Sequence, residues 1–374
     1  MEVPGVADLE EVGRGGMAVV YKGRQESFGR TVAVKVVTAV GVDPALRRRF
    51  QQELRALGAL SDHPNVITVH GAGETEEGFP YLVMGYQPGG SLADRLQWHG
   101  PMLWPEVAEV GVKVAGALES AHRAGVLHRD VKPENILMSK FGEPVLADFG
   151  IARLEGAAHL TATGAVTGTI AHTAPEVLEG GQHSPASDVY GLASTLHQLL
   201  AGSPAFTRAT DESMVAVLHR VLMEPPPDLR PMGIPPTLVE VVERGLAKDP
   251  TVRPASAAEL GHELRGVQQR LNLAVTPLPV ALGLGDDASS GEQVVVDEPV
   301  APVAPTPPPP SSGVRRDLPP PPKEPPPGRV RAKAPPPTAP PVSRSLASPP
   351  KRPNLPPPPR TPPPPRTPPP PRVP

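Results

Sequence analysis

The chain has 374 residues, with 57 prolines and no cysteine, and its formal net charge is −3. Most prolines lie after Thr276, where the chain is not expected to form a packed core, because proline donates no backbone hydrogen bond. The absence of cysteine excludes disulfides and thiolate metal sites. We see no signal-peptide pattern, and the apolar segment 271–285 is too short to span a bilayer, so a cytoplasmic protein without a transmembrane segment is expected.

The first 85 residues are predicted to consist mostly of β-strands. The β-branched run Thr31–Val37 is typical of a strand, and Met17–Lys22 and Tyr81–Met84 are similar. One helix is predicted at Pro44–Leu60, where apolar residues recur every three or four positions.

The remainder of the body is predicted to be helical. Apolar residues recur at helical spacing in Pro105–Ala124, Asp188–Leu200, Pro236–Leu246 and Ala255–Leu271. A β-rich start followed by helices predicts an α+β protein of two lobes.

A glycine-rich turn, Gly13–Ala18, leads into a predicted strand. Such a turn lets backbone N–H groups approach phosphate oxygens, although glycine pairs more often mark ordinary turns. No Walker lysine follows it, and no helix follows as in a dinucleotide site, so the pattern favours a flap over a nucleotide. Lys35 lies inside an apolar strand, where Glu53 on the next helix could pair with it. The alternative is that both side chains face solvent.

The strongest chemical signal is the segment His128–Asn135, which reads His-Arg-Asp-Val-Lys-Pro-Glu-Asn. Asp148-Phe149-Gly150 and then Ala174-Pro175-Glu176 follow it. With these motifs in this order, the chain resembles the bacterial members of the eukaryotic-like Ser/Thr protein kinases over about residues 9–270.

The resemblance implies a bilobal protein kinase fold. We expect a β-rich N-lobe with one main helix at residues 1–84, a hinge at 85–90 and a helical C-lobe at 91–272. Residues 273–374 are expected to form a disordered, basic, Pro-rich tail. The implied activity is transfer of the γ-phosphate of ATP to Ser/Thr hydroxyls of proteins. The enzyme is also expected to phosphorylate its own activation segment, which runs from Asp148 to Glu176.

The resemblance also implies an ATP site beneath the glycine flap. Val20 and Ala33 are expected against adenine, with Met84 at the back of the pocket. The backbone of Gly85–Gln87 would bind adenine as the hinge. The full expected set is Val12, Gly13, Arg14, Gly15, Gly16, Met17, Ala18, Val19, Val20, Ala33, Lys35, Glu53, Met84, Gly85, Tyr86 and Gln87.

The catalytic roles follow from the same resemblance. Asp130 would accept the proton of the attacking hydroxyl, and Lys132 would stabilise the transferred phosphate. Lys35, held by Glu53, would contact the α- and β-phosphates. Asn135 and Asp148 would hold Mg²⁺, with Mn²⁺ as an alternative, because these hard ions prefer oxygen ligands.

Further residues are expected to select the acceptor, regulate the enzyme and support the loop. Lys132 and Thr169 match the residues that Ser/Thr kinases carry at these positions, where the threonine supports Asp130 and Lys132. Phosphate on Thr161 or Thr163 would pair with Arg129, although a Thr-rich loop can also be simply polar. Structural roles are expected for Glu176, Asp188 and Arg253, and also for the loop residues His63 and His172.

The tail carries a repeat of Arg-Thr-Pro-Pro-Pro-Pro, at Arg360 and again at Arg366. Such segments adopt polyproline II stretches, so the tail is either a recognition arm for a Pro-binding domain or an acidic partner, or a semi-rigid spacer. No nucleic-acid partner is expected, and a transient dimer is compatible with the sequence. Two alternative functions stay open, a catalytically silent scaffold and a small-molecule kinase.

Overall fold

The computed structural model describes residues 2–15, 18–38, 54, 57–58, 60–149, 170–208 and 213–281. The predicted helix Pro44–Leu60 lies outside these residues except for Leu54, Leu57, Gly58 and Leu60. Several predicted site residues also lie outside them, namely Gly16, Met17, Glu53, Thr161, Thr163 and Thr169.

Five antiparallel strands form the sheet of the N-terminal part, in the spatial order β1-β2-β3-β5-β4. They are β1 (Val6–Arg14), β2 (Ala18–Gln25), β3 (Arg30–Val37), β4 (Val69–Glu74) and β5 (Pro80–Gly85). Val32, Val34 and Val36 are buried on one face of β3, and Ala33 and Lys35 lie on the other. The two-residue period of a strand thus separates the core of the sheet from the face that carries Lys35.

Helices dominate the C-terminal part. They are α1 (Leu92–His99), α2 (Trp104–Arg123), α3 (Pro175–Leu178), α4 (Pro185–Ala201), α5 (Met214–Met223), α6 (Pro236–Gly245) and α7 (Ala257–Arg270). A small hairpin, β6 (Ile136–Met138) with β7 (Pro144–Leu146), follows a 3₁₀ turn at Pro133–Asn135.

Helix α2 is the centre of the helical part, because it packs against both α4 and α7. Its predicted apolar stripe is buried, but so are Ala108, Val112 and Ala115, which lie outside that stripe. A helix with neighbours on two sides buries more than one stripe. Each large apolar side chain removed from water here contributes about 1.5–3 kcal/mol to folding.

The start of α4 is fixed by its cap. The side chain of Ser184 accepts a hydrogen bond from the backbone N–H of Ser187, and Pro185 occupies the first helical turn. Such a cap satisfies an N–H group that the helix itself leaves unpaired. Asp188 therefore lies in the first turn of α4, which aims its carboxylate at the loop before β6.

The predicted division into a β-rich and a helical part is confirmed. The predicted strands at β2, β3 and β5 and the helices α2, α4, α6 and α7 are present, with ends shifted by one to three residues. The sequence did not predict β1, β4, β6, β7, α1, α3 or α5 as elements. Strand β4 was missed because it reads Val-His-Gly-Ala-Gly-Glu and has little β-branched character.

Residues 272–281 continue beyond α7 and lie against α2 and α7, and we call them the C-terminal strap. The sequence placed the start of the Pro-rich tail at residue 273, but Thr276 is buried, and Leu278 packs against the main core. A groove between two helices accepts this proline-containing segment, since polar contacts satisfy several of its backbone groups. Among the helices in the described part of the chain, none combines the length and apolar character that crossing a bilayer requires.

Candidate active site

The glycine flap is the turn between β1 and β2. Gly13 pairs with Val20, and Arg14 pairs with Val19. The N–H of Gly15 donates to the carbonyl of Ala18 at 2.9 Å, which closes the turn. Val12 is about half exposed at the strand edge.

The predicted adenine residues lie on adjacent strands. Val20 is opposite Lys35 in the register, and Ala33 is opposite Met84. Met84 is 4% exposed and belongs to a cluster with Val145 and Ala147. Leu137 of β6 packs against this cluster, as Ala33 does, so apolar side chains from both lobes meet there. Leu137 was not predicted from the sequence, because β6 is only three residues long and carries no periodic pattern.

The predicted hinge, Gly85–Gln87, follows directly from β5. The N–H of Gly85 donates to the Thr68 carbonyl at 2.9 Å, which ties the hinge to β4. The ring of Tyr86 lies 5.4 Å from the ammonium of Lys22. Beyond the hinge, the N–H of Gly89 donates to the Met138 carbonyl at 3.0 Å.

Lys35 reaches across to the helical lobe. Its ammonium lies 3.0 Å from Oδ1 of Asp148, and the side chains are 19% and 37% exposed. The alternative in which Lys35 faces solvent is therefore wrong, and the predicted partner Glu53 lies outside the described residues. Asp148 has φ of 59°, a left-handed conformation that costs a non-glycine residue about 1–2 kcal/mol.

Asp130, Lys132 and Asn135 form one hydrogen-bonded group. The ammonium of Lys132 lies 3.0 Å from Oδ2 of Asp130. The amide nitrogen of Asn135 donates to the Asp130 carbonyl at 2.7 Å and to Oδ2 at 3.2 Å. The 3₁₀ turn at Pro133–Asn135 brings the two polar ends of the segment together. Because Asn135 uses its nitrogen for Asp130, its amide oxygen is the atom that can face a cation.

His128 connects this group to Asp148. Its Nε2 lies 2.8 Å from the Ala147 carbonyl, while its Nδ1 accepts from the N–H of Asp130 at 3.3 Å. Its ring centroid is 4.7 Å from that of Phe149, and both rings are buried. Burial lowers the pKa of His128, so the neutral imidazole with its proton on Nε2 satisfies both contacts.

Asp188 holds the backbone at the start of the segment His128–Asn135, which is the predicted catalytic loop. Its two carboxylate oxygens accept the backbone N–H groups of His128 and Arg129, each at 2.8 Å. The imidazole of His122 adds a third contact at 2.8 Å. Burial of Asp188 opposes its ionisation, but the hydrogen bond and charge of His122 outweigh this and hold its pKa below the ordinary value of 3.8.

His122 is a site residue that sequence reasoning missed. It lies in the last turn of α2, six residues before His128, and nothing in the sequence distinguishes it from an ordinary helix-end histidine. Only the crossing of α2 and α4 brings it to Asp188.

The remaining structural predictions concern buried polar residues. Arg253 binds Glu176 through two hydrogen bonds of 2.8 and 2.7 Å, and its side chain is completely buried. His172 is also buried, with Nδ1 2.8 Å from the Ser194 hydroxyl, and burial lowers its pKa to about 4. Both arrangements tie residues 172–176 to the helical part of the protein.

The donor set suits a hard cation. Asn135 and Asp148 offer amide and carboxylate oxygens, the ligand type that Mg²⁺ prefers. Within the residues that the structure describes, no group of three or more His, Asp or Glu side chains is arranged for a metal. A cation at this place would therefore take further oxygen ligands from phosphate groups or water.

Comparison with known proteins gives consistent matches. The model of the protein kinase domain matches residues 6–264. The serine/threonine-protein kinase PknK of Mycobacterium tuberculosis is 49% identical over 282 residues, which are 75% of this chain and 25% of that protein. PknL of the same organism is 36% identical over 272 residues, which are 72% of this chain and 67% of that protein.

A solved structure agrees with these matches. The M. tuberculosis PknI kinase domain superposes with a TM-score of 0.54 at 29% identity, covering 71% of this chain and 97% of that chain. This chain spans about a quarter of the length of PknK.

Proposed function

Because this chain belongs to the protein kinase family, we propose that it is an ATP-dependent Ser/Thr protein kinase. The observation that carries the proposal is the group of Asp130, Lys132 and Asn135 beside the Lys35–Asp148 pair. A catalytically silent scaffold would not need this complete set of polar residues.

In the proposed reaction, a Ser or Thr hydroxyl attacks the γ-phosphorus of ATP. The new O–P bond forms as the bond to the β–γ bridging oxygen breaks, and ADP leaves. The hydroxyl proton passes to the Asp130 carboxylate, and the neighbouring Lys132 ammonium balances the charge on the transferred phosphate. Little covalent chemistry is asked of the protein, so positioning and electrostatics supply most of the rate.

Lys35 and Asp148 are proposed to separate when the nucleotide binds. In this structure they neutralise each other at 3.0 Å. With ATP present, the Lys35 ammonium would turn to the α- and β-phosphates, and Asp148 with Asn135 would hold Mg²⁺. The metal supplies neutralisation of phosphate charge when bound.

The acceptor class and the regulation are part of the same proposal. Lys132, two residues after Asp130, and the names of the relatives support Ser/Thr acceptors. Phosphorylation of Thr161 or Thr163 is proposed to pair with Arg129 and order the activation segment. The small-molecule alternative is less favoured, because Ala174–Glu176 is held rigidly by Arg253, as a peptide-docking platform would need.

The test is a labelled-ATP assay with Mg²⁺ on the full chain and on Asp130→Asn. The substitution removes the proton acceptor, and we expect a loss of kcat of about 10²-fold or more with little change in KM for ATP. Asp228→Asn, which alters an exposed carboxylate on the C-lobe surface, should leave the rate unchanged.

The labelled wild-type protein is then digested, and its phosphopeptides are mapped. Label on Thr161 or Thr163 supports the regulatory proposal, and its absence from both contradicts it. No incorporation by the wild type on any protein substrate, or equal incorporation by both chains, would overturn the proposed activity.

The tail is proposed as a recognition arm or a spacer. Its basic charge and Pro-rich repeats support both uses. Pull-down with a panel of SH3 and WW domains separates them, since a spacer binds none of these domains.

A further inference from the structure

The C-terminal strap, residues 272–281, turns back along the body immediately after α7. Asn272 adopts φ of 54°, and the N–H of Leu273 donates to the Gln268 carbonyl at 2.9 Å. This is the αL reversal that commonly ends helices, with asparagine in the place of glycine. The reversal directs the following residues across α7 towards α2.

A buried pair of hydrogen bonds holds the middle of the strap. The amide nitrogen of Gln268 donates to the Thr276 hydroxyl at 2.8 Å, and the Thr276 N–H donates to the amide oxygen of Gln268 at 2.9 Å. Both residues are less than 10% exposed. Since an unpaired buried amide is costly, each residue requires the other in place.

The next residues occupy a groove that two glycines create. A Cβ at Gly261 would lie 2.8 Å from Cδ1 of Leu278, and a Cβ at Gly116 would overlap the carbonyl of Pro279. The groove is closed by Ser120, whose hydroxyl accepts the N–H of Ala281 at 2.9 Å. The strap is therefore seated in a specific site rather than lying loosely on the surface.

The strap also contacts the segment that precedes β4. Nε2 of His63 lies 3.0 Å from the Pro279 carbonyl, which can only accept, so the imidazole donates there. Nδ1 of His63 accepts the N–H of Asn65 at 3.1 Å. One histidine thus joins the strap to the segment 63–67.

That segment is bonded in turn to the strand before Asp148. The amide nitrogen of Asn65 donates to the Pro144 carbonyl at 2.8 Å, and the N–H of Ile67 donates to the Leu146 carbonyl at 2.9 Å. The N–H of Ala147 then donates to the Asn135 carbonyl at 2.8 Å. A continuous series of contacts runs from Pro279 to Asn135 and to Ala147, the residue before Asp148.

We propose that the C-terminal strap is a positioning element of the active site, acting through His63. By holding segment 63–67 against β7, it keeps Asp148 and Asn135 in the arrangement that phosphoryl transfer requires. This inference rests on the proposed function for its effect on rate, but the coupling from strap to β7 is a property of the fold and can be measured without activity.

The test uses the full chain with residues 273–281 replaced by a Gly/Ser sequence of equal length. The matched control replaces 289–297 in the same way, which leaves the strap intact. We expect the strap replacement to lower kcat by about five-fold, with the KM for a peptide substrate unchanged, whereas the control keeps both values. If the strap contributed only to stability, its replacement would lower the melting temperature but leave kcat at about 20 °C unchanged.

Hydrogen–deuterium exchange supplies the readout that does not depend on activity. The strap replacement should speed exchange at the amides of Ile67 and Leu146, and the same effect should appear in an Asp130→Asn background. Faster exchange without any kinase activity in the wild type would support the coupling and refute only the proposed function. Unchanged exchange at both amides would overturn the inference.

His63 provides a second, milder test. His63→Ala should lower kcat and speed the same exchange, and His63→Gln, which keeps a donor for Pro279, should restore part of both. If the strap acts through His63, combining His63→Ala with the strap replacement should be no worse than the replacement alone. Fully additive losses would contradict the proposal.

Discussion

Single residues in this protein matter most where a buried charge organises the backbone. Asp188 is 2% exposed and accepts two backbone N–H groups and the imidazole of His122. Removing the carboxylate would leave three donors without their acceptor, next to the residues proposed to carry the chemistry. The cost of such a loss exceeds that of any exposed ion pair on the surface.

We therefore expect Asp188→Ala to lower the free energy of unfolding at pH 7 by about 3 kcal/mol. Asp228→Ala, at an exposed pair with Arg230, should cost far less, because solvent screens that pair. Urea denaturation measures both. Equal losses in the two variants would show that Asp188 does not brace the loop.

The pH dependence of this effect has a defined sign. The pKa of Asp188 in the folded protein lies below 3.8, so its stabilising contribution is complete above about pH 4 and is lost as the pH falls through the folded pKa. The difference between wild type and Asp188→Ala should accordingly shrink at pH 3. A difference that grows on acidification would contradict the assignment.

At the scale of elements, the end of the hinge lies directly against β6 of the small β6–β7 hairpin. Gly89 lies next to β6, and a Cβ added there would be 2.5 Å from the Met138 carbonyl. The sequence predicted residues 85–90 only as a hinge, because close packing between distant segments leaves no local pattern. Leu137 was not predicted either, because its contacts are with residues that are distant in the sequence.

Gly89→Ala should push the hinge away from β6. We expect it to lower the free energy of unfolding by about 2 kcal/mol and to raise the KM for ATP, because the overlap involves backbone that cannot rotate away. Gly71→Ala in β4, where nothing lies within 4 Å of the added methyl, is the matched control. Similar values for both variants would argue against the close contact.

At the scale of the whole molecule, the folded body extends to the strap. Removing the residues after Ala281 leaves in place the strap contacts given above, whereas ending the chain at Leu271 removes the Gln268–Thr276 pair and the packing of Leu278. We expect the first truncation to keep the wild-type melting temperature and the second to lose about 2–4 kcal/mol of stability. Thermal unfolding of both chains decides whether the body ends at 272, as the sequence predicted, or at 281.

The sequence by itself determined the family and the two-lobed α+β architecture, and it predicted which groups would carry the chemistry. It could do so because Asp130, Lys132, Asn135 and Asp148 belong to contiguous motifs, and because strand and helix periods are local properties. Whether Lys35 faces solvent or the catalytic residues was not decided by any local pattern.

Only the tertiary structure decided the partners. It paired Lys35 with Asp148, brought His122 to Asp188 and seated Pro279 against His63. These contacts join residues 66 to 216 positions apart, so no period or motif in the chain encodes them. The last two depend on the packing of α2 against α4 and α7, and that packing makes a proline-containing segment, which the sequence predicted as the start of a tail, part of the folded body.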